Sequence, residues 1–198
     1  NQALTIDKMY DFVFSENSLF IDEGRNLLIT EFGKNYGTYF SILSEIANGH
    51  YTQGEIESAL GGTAIGGYLS KLENVYNLIT RERPIFAKPG TKKNVRYVIG
   101  DNFLNFWFKY IEQNRSYIEL QNFDDLRQLA KADYPTYSGR VLEKYFKQKL
   151  AETGGFKEIG SWWETKSSIG KQRINSYEID IVALKSSGKK ALIAEVKR

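Results

Sequence analysis

The chain has 198 residues, of which 41% are hydrophobic and 14% aromatic, a composition typical of packed globular domains and not of disordered chains. A net charge of +3 permits contact with nucleic acid, while the absence of cysteine and a single histidine exclude disulfides and Cys/His zinc sites and leave oxygen-ligated metals. Because no apolar run is long enough to span a membrane and no signal-peptide pattern opens the chain, we expect a cytoplasmic protein without a membrane partner.

Residues 1–36 carry apolar positions that predict two or three short helices. The chain begins without Met, inside what its pattern predicts to be an amphipathic helix, and it stops soon after its final strand motif. We therefore expect both ends to be cuts in a longer protein.

Two short helices are predicted next. Apolar side chains keep helical spacing over residues 39–47, and Asn48-Gly49 then stops the first helix. Thr52 is followed three positions later by Glu55, a capping-box signature in which each side chain binds the other residue's backbone N–H. This signature opens the second helix.

A third helix and a two-stranded wing are predicted after them. Thr63 can cap a long amphipathic helix whose apolar positions run over residues 65–79. Residues 84–87 and 94–99 are strand-like runs, joined by a lysine-rich tip. Three helices followed by a basic-tipped hairpin is the order of a winged helix-turn-helix, which we place at residues 37–113.

The third helix and the wing offer candidate contacts to DNA, since amides can read base edges and cations suit phosphates. The candidates are Lys71, Asn74, Arg81, Arg83, Lys88, Lys92, Lys93 and Arg96. Glu73 lies among them and weakens this interpretation. Winged helices also serve as protein-docking modules, so both DNA binding and docking stay open.

An aromatic-rich helix is predicted at residues 101–111 and a charged connecting helix within residues 114–133. An aromatic stripe at helical spacing is more often core or interface than a platform for stacking bases, and as an interface it would permit self-association. Tyr134-Pro135 is expected to interrupt the chain before the last domain. Gly61–Gly67 lacks the ending of a phosphate-binding loop, so the chain carries no nucleotide-binding motif.

The most informative segment is a hairpin at the C-terminal end. If Ser187 and Gly188 are its central turn residues, Asp180 lies opposite Glu195, and Lys197 shares their face. Like charges placed opposite each other are unfavourable unless a cation compensates them. Apolar residues on both faces predict a hairpin covered on both sides, where carboxylates can hold a hard divalent cation such as Mg²⁺.

Another interpretation of the same pattern is an ordinary hairpin with three charges on its outer edge. A shift of one residue in the turn would also undo the pairing.

The spacing of Asp180 and Glu195-Val196-Lys197 resembles the core of the PD-(D/E)XK, or restriction-endonuclease-like, nucleases. Residues 138–146 resemble the helix that precedes this core, with Glu143 in the matching position, and residues 156–163 resemble its first strand. The resemblance implies that Asp180 and Glu195 hold Mg²⁺, that Glu143 assists and that Lys197 orients water or stabilises charge.

Nearly the whole chain resembles the archaeal-type P-loop ATPase family. The likeness is carried by residues 39–43, 101–108, 139–143 and the final Glu195-Val196-Lys197. It implies an AAA-like ATPase module, with its ATP, that is missing here except for its closing helices in residues 1–36. It also implies a C-terminal domain of unknown function with a nuclease-like core.

The expected fold class is mixed α and α/β, a winged helix-turn-helix followed by an incomplete restriction-endonuclease-like α/β domain at residues 134–198. The expected function is that of the C-terminal region of an ATPase, a DNA-binding winged helix joined to a nuclease-like domain. The alternative is a non-catalytic regulatory or protein-docking module, so enzymatic activity stays open. DNA, the ATPase module and a second copy are the expected partners.

Overall fold

The computed structural model describes residues 5–88, 90, 94–164, 168–169, 172–173, 177–188 and 190–197. Its helices are α1 Ile6–Val13, α2 Phe20–Phe32, α3 Tyr36–Asn48, α4 Gln53–Ala59, α5 Gly66–Asn74, α6 Asn102–Phe106, α7 Arg115–Glu119 and α8 Phe123–Thr153, with a 3₁₀ turn at Gly33–Asn35 and a π-helical turn at Trp107–Glu112. Its strands are β1 Ile79–Glu82, β2 Arg96–Ile99, β3 Phe156–Trp163, β4 Ser168–Ile169, β5 Gln172–Arg173, β6 Glu178–Lys185 and β7 Ala191–Ala194. The protein is therefore a mixture of helices and small antiparallel sheets.

The chain divides into two compact units. The N-terminal unit combines Asn1–Arg81 with Tyr97–Asp133, and the C-terminal unit combines Glu82–Arg96 with Tyr134–Arg198. Helix α8 contributes its first part to one unit and the rest to the other. Among the helices of the described ranges, none is both long and apolar enough to cross a bilayer.

Aromatic side chains form the core of the N-terminal unit. Trp107 is fully buried, its indole N–H donates to the Ile21 carbonyl at 3.0 Å, and the Phe40 ring meets it edge to face. Gly24 lies against this indole so closely that a Cβ would come within 2.2 Å of the ring. The aromatic stripe predicted at residues 101–111 is thus core, because the rings of Trp107, Phe108 and Tyr110 are buried and cannot stack on bases.

The local signals for α3 and α4 are confirmed. Helix α3 ends where Gly49 adopts the left-handed conformation, with φ of 103°, which glycine reaches without steric cost. The capping box of α4 is complete, because the Thr52 hydroxyl accepts from the Glu55 N–H and the Glu55 carboxylate accepts from the Thr52 N–H.

The predicted end of the third helix and the first wing strand were wrong. Helix α5 stops at Asn74, and the Thr63 hydroxyl donates to the Leu60 carbonyl instead of capping it. Asn77 takes a positive φ of 54°, a conformation that Asn tolerates, and this turn starts β1 before the predicted strand at residues 84–87. The expected order of three helices and two strands is nevertheless present, and β1 and β2 form a two-stranded sheet.

Helix α8 continues through Pro135, where an interruption was predicted. Proline removes one backbone hydrogen bond from a helix. Packing outweighs that loss, because Leu126 and Ala130 before the proline are fully buried and Ser138 after it is largely buried. The segment 138–146, predicted as a helix, lies inside α8.

The C-terminal unit contains an antiparallel sheet in the order β3-β6-β7, and β3 has the predicted bounds. The hairpin register is also as predicted, since Ile181 faces Ala194 and Val182 faces Ile193. Strand β7 ends at Ala194, so the ladder stops one pair short of Asp180 and Glu195. Strand β6 is buried on both faces, whereas β7 is exposed, with 66% of Ile193 accessible, so the predicted double cover applies to β6 alone.

The 82–96 segment packs within the C-terminal unit. The Ile85 N–H donates to the Ser161 carbonyl at 2.8 Å, and the Trp163 indole donates to the Asn94 carbonyl at 3.2 Å. These two bonds hold Ile85 and Asn94 of the segment against β3.

Candidate carboxylate site

Glu143 is the most perturbed acid of the C-terminal unit. Helix α8 presents it on a partly buried face, where 26% of its side chain is exposed. Burial raises the pKa of Glu143 to about 7, the positive charge of Lys147 opposes this rise, and the negative charges of Asp180 and Glu178 add to it. The charges of these carboxylates therefore interact.

Asp180 lies on the central strand β6 and is held by backbone contacts. Its Oδ2 accepts from the Val196 N–H at 2.8 Å, and its carbonyl accepts from the Ser161 hydroxyl at 2.9 Å. Val196 is the middle residue of the predicted Glu-x-Lys motif. The fold thus brings the Asp strand and this motif into direct contact.

The outer two side chains of the motif pair with each other. The Lys197 ammonium lies 3.2 Å from the Glu195 carboxylate, and both side chains are exposed, at 77% and 69%. The four predicted residues thus fall into two pairs. The charges of Glu143 and Asp180 interact. Glu195 and Lys197 form a separate pair at the surface.

The donor chemistry suits a hard cation, because carboxylates whose charges repel are stabilised by one. Over the ranges that the structure describes, however, no three acidic or histidine side chains are gathered closely enough to hold a metal by themselves. Mg²⁺ is commonly bound through one or two carboxylates together with water and phosphate oxygens, so metal binding by Asp180 and Glu195 stays a prediction.

Two polar residues of this site were missed by sequence reasoning. The Lys147 ammonium donates to the Ser161 hydroxyl at 2.5 Å and lies 3.9 Å from the Glu143 carboxylate. The four-residue spacing of Glu143 and Lys147 on a helix was a signal that could have found the lysine. Nothing in the sequence marks Ser161, whose role depends on how β3 lies against α8.

Arg96, predicted to contact DNA, is engaged inside the C-terminal unit. Its two terminal nitrogens bind the two Glu178 carboxylate oxygens at 2.5 and 3.1 Å, and its guanidinium lies 4.2 Å from the centre of the Trp163 ring. A guanidinium whose two terminal nitrogens already donate to a carboxylate has fewer N–H groups left to donate to a phosphate.

The other candidates for DNA contact are placed as follows. Arg81 pairs with Glu73 at 2.5 Å. Lys71 and Asn74 are exposed in the N-terminal unit, Arg83 and Lys88 are exposed in the C-terminal unit, and Lys92 and Lys93 lie outside the described residues. DNA contact by this set stays a prediction.

Comparison with known proteins gives two matches. Residues 107–198 match the model of DUF234, a family described as archaeal and bacterial proteins of unknown function. The chain is also 40% identical over 169 residues to an uncharacterized protein of Methanocaldococcus jannaschii, MJECL04, covering 81% of this chain and 35% of that protein. The chain thus spans about a third of the length of this curated relative. No solved structure matches it significantly.

Proposed function

We propose that the chain is the C-terminal region of a P-loop ATPase, in which a DNA-binding winged helix precedes a PD-(D/E)XK nuclease-like domain. The observation that carries the nuclease-like part is the bond from the Val196 N–H to the Asp180 carboxylate, which joins the two halves of the motif. Glu143 supports it, because its helix leads into the sheet and its pKa responds to the charge of Asp180.

In this proposal Asp180 and Glu195 hold Mg²⁺, which when bound makes a hydroxide nucleophile available and neutralises the charge of a phosphodiester. Glu143, with its raised pKa, can exchange a proton near neutral pH. Lys197 would turn from Glu195 to a phosphate oxygen. Its exposure leaves it room to do so.

A second candidate is a non-catalytic docking or regulatory module. The pairing of Glu195 with Lys197 at the surface favours it, because in that arrangement the two side chains satisfy each other. The nuclease-like domain and the docking module would have the same fold. Metal binding therefore distinguishes the two functions, whereas the architecture does not.

The experiment is a thermal-shift titration with Mg²⁺ and Mn²⁺ on the parent chain and on Asp180→Asn. A metal that binds only the folded state raises the melting temperature, and the rise grows with the logarithm of metal concentration once that exceeds the dissociation constant. We expect the rise to be smaller in Asp180→Asn, since this change removes a charge and keeps the shape of the side chain. Glu158→Gln, an exposed acid on β3, is the matched control and should respond like the parent.

An equal metal response in Asp180→Asn and the parent would exclude Asp180 as a ligand. No response in either protein, even at metal concentrations high enough to fill a weak site, would favour the docking module.

A further inference from the structure

Lys147 connects three elements of the C-terminal unit. It projects from α8, its ammonium donates to Ser161 on β3 at 2.5 Å, and the Ser161 hydroxyl in turn donates to the Asp180 carbonyl on β6 at 2.9 Å. Ser161 is 8% exposed and the Lys147 side chain is 24% exposed, so the bonds are partly buried, with the serine at their centre largely withdrawn from water. They end at the backbone of the residue that carries the candidate ligand carboxylate.

The distance from Lys147 to Glu143 is informative. At 3.9 Å the ammonium attracts the carboxylate but does not form a short hydrogen-bonded pair with it. The ammonium instead donates a hydrogen bond to the Ser161 hydroxyl, which is closer.

We propose that Lys147 is a positioning residue of the carboxylate site. Ser161 holds its ammonium at a fixed distance from Glu143, so that the Glu143 carboxyl group is not tied up in a close ion pair with Lys147 and can interact with Asp180. A role for this arrangement in catalysis rests on the proposed function, whereas the arrangement itself does not. In this interaction, a hydrogen bond to a buried serine hydroxyl keeps a lysine ammonium at a distance from the neighbouring carboxylate.

The charges that face Glu143 come from two elements. Lys147 and Arg140 on α8 are positive, and Asp180 and Glu178 on β6 are negative. Strand β3 contributes the uncharged Ser161. Lys197, the lysine of the motif, pairs with Glu195 instead. Lys147 is therefore the ammonium that the fold places against Glu143.

The test is the titration midpoint of the Glu143 side-chain carboxyl carbon, followed by carbon-13 NMR in the parent and in two variants. Lys147→Met removes the opposing charge, so the midpoint should rise by about half a pH unit or more. Ser161→Ala frees the ammonium to pair with Glu143, so the midpoint should fall. The two substitutions remove the two ends of one hydrogen bond, yet they are expected to act in opposite directions.

If Lys147→Met merely opened the structure, Glu143 would be exposed and the midpoint of that variant would fall toward the ordinary value of 4.5 and not rise. In Ser161→Ala both loosening and pairing lower the midpoint, so the double variant Ser161→Ala with Lys147→Met separates them. A midpoint in the double variant as high as that of Lys147→Met shows that the fall in Ser161→Ala requires the ammonium, whereas a midpoint that stays low would show loosening and overturn the proposal.

Lys147→Arg keeps the charge and should restore a midpoint near that of the parent. Lys149→Met removes a neighbouring cation that pairs with Glu152, and it should leave the midpoint unchanged.

A fall in Lys147→Met, or a midpoint in either variant equal to that of the parent, would overturn the proposal. The measurement needs neither metal nor cleavage. Its failure is therefore distinct from a failure of the proposed function, which the metal response of Asp180→Asn tests.

Discussion

At the scale of single residues, two carboxylates of the same unit behave differently because their surroundings differ. Glu143 is partly buried and near other negative charges, and both effects raise its pKa. Asp180 accepts a backbone hydrogen bond from the Val196 N–H at 2.8 Å, which fixes the position of its carboxylate beside the Glu-x-Lys motif.

Glu143→Gln should stabilise the protein at alkaline pH. The pKa of Glu143 rises from 4.5 to about 7 on folding, so between these values the folded state binds more protons than the unfolded state, and stability falls as pH increases. Glutamine cannot ionise and escapes this loss. We expect the free energy of unfolding to exceed that of the parent by at most about 3 kcal/mol at pH 8, at 1.36 kcal/mol per pKa unit, and to be similar at pH 4.

Urea unfolding at both pH values measures this difference. Glu158→Gln, an exposed acid, should change little at either pH. A gain for Glu143→Gln of equal size at pH 4 and pH 8 would mean that ionisation of Glu143 is not its cause.

Arg96→Ala should destabilise the C-terminal unit. The change removes a two-pronged bond to Glu178 and the contact with the Trp163 ring, and we expect a loss of about 1–2 kcal/mol, because Glu178 is itself partly exposed. Thermal unfolding and hydrogen exchange of the β6 amides measure it. Lys88→Ala, a cation of the same segment, is the control, and an equal effect of both would show that the Arg96 contacts contribute nothing specific.

At the scale of elements, the 82–96 segment does more than join β1 to β2. Its backbone and its Arg96 side chain bind β3 and β6 of the C-terminal unit. A segment that serves as structural cover cannot offer all its cations to a ligand. Contact between this segment and DNA stays a prediction, and Arg96 is a weaker candidate for it because its guanidinium already binds Glu178.

Replacement of Lys92 and Lys93 by Ala should weaken binding to duplex DNA by a similar factor for all sequences. Phosphate contacts carry no sequence information, and each one lost should reduce the slope of log affinity against log salt by about 0.9. Fluorescence anisotropy at several salt concentrations measures both effects. The control is replacement of Lys34 and Lys149, which removes the same charge elsewhere, and equal losses for the two double variants would exclude the tip as a specific phosphate contact.

At the scale of the whole molecule, the candidate site is only partly assembled. Glu195 and Lys197 lie at the surface, and β7 is an exposed strand beside them. Loose carboxylates in water bind metal weakly, because each must be ordered when the ion binds. The chain is expected to hold the framework of the site without a closed pocket around it.

The 198-residue chain should therefore show little or no Mg²⁺-dependent cleavage of DNA. The assay incubates plasmid and single-stranded DNA with the chain and Mg²⁺ or Mn²⁺, and Asp180→Asn serves as the blank for contaminating nucleases. Robust cleavage that disappears in Asp180→Asn would show that the site is more complete than its geometry indicates.

Features that depend on neighbours along the chain are predictable from the sequence alone. The Gly49 stop, the Thr52–Glu55 capping box and the register of the β6–β7 hairpin follow from residues a few positions apart, whereas the bounds of β3 followed from the resemblance to a known family. Capping and turn geometry are set by local backbone conformation, so their signals are present in any short segment that carries them.

Features that depend on residues distant in sequence could be established only from the folded structure. Helix α8 passes through Pro135 because packing compensates a lost hydrogen bond, a balance that no local pattern expresses. Arg96 binds Glu178 across 82 positions, and Lys147 reaches Asp180 through Ser161. The pKa of Glu143 likewise follows from burial and from charges on another element, because desolvation and Coulomb interactions act through space and not along the chain.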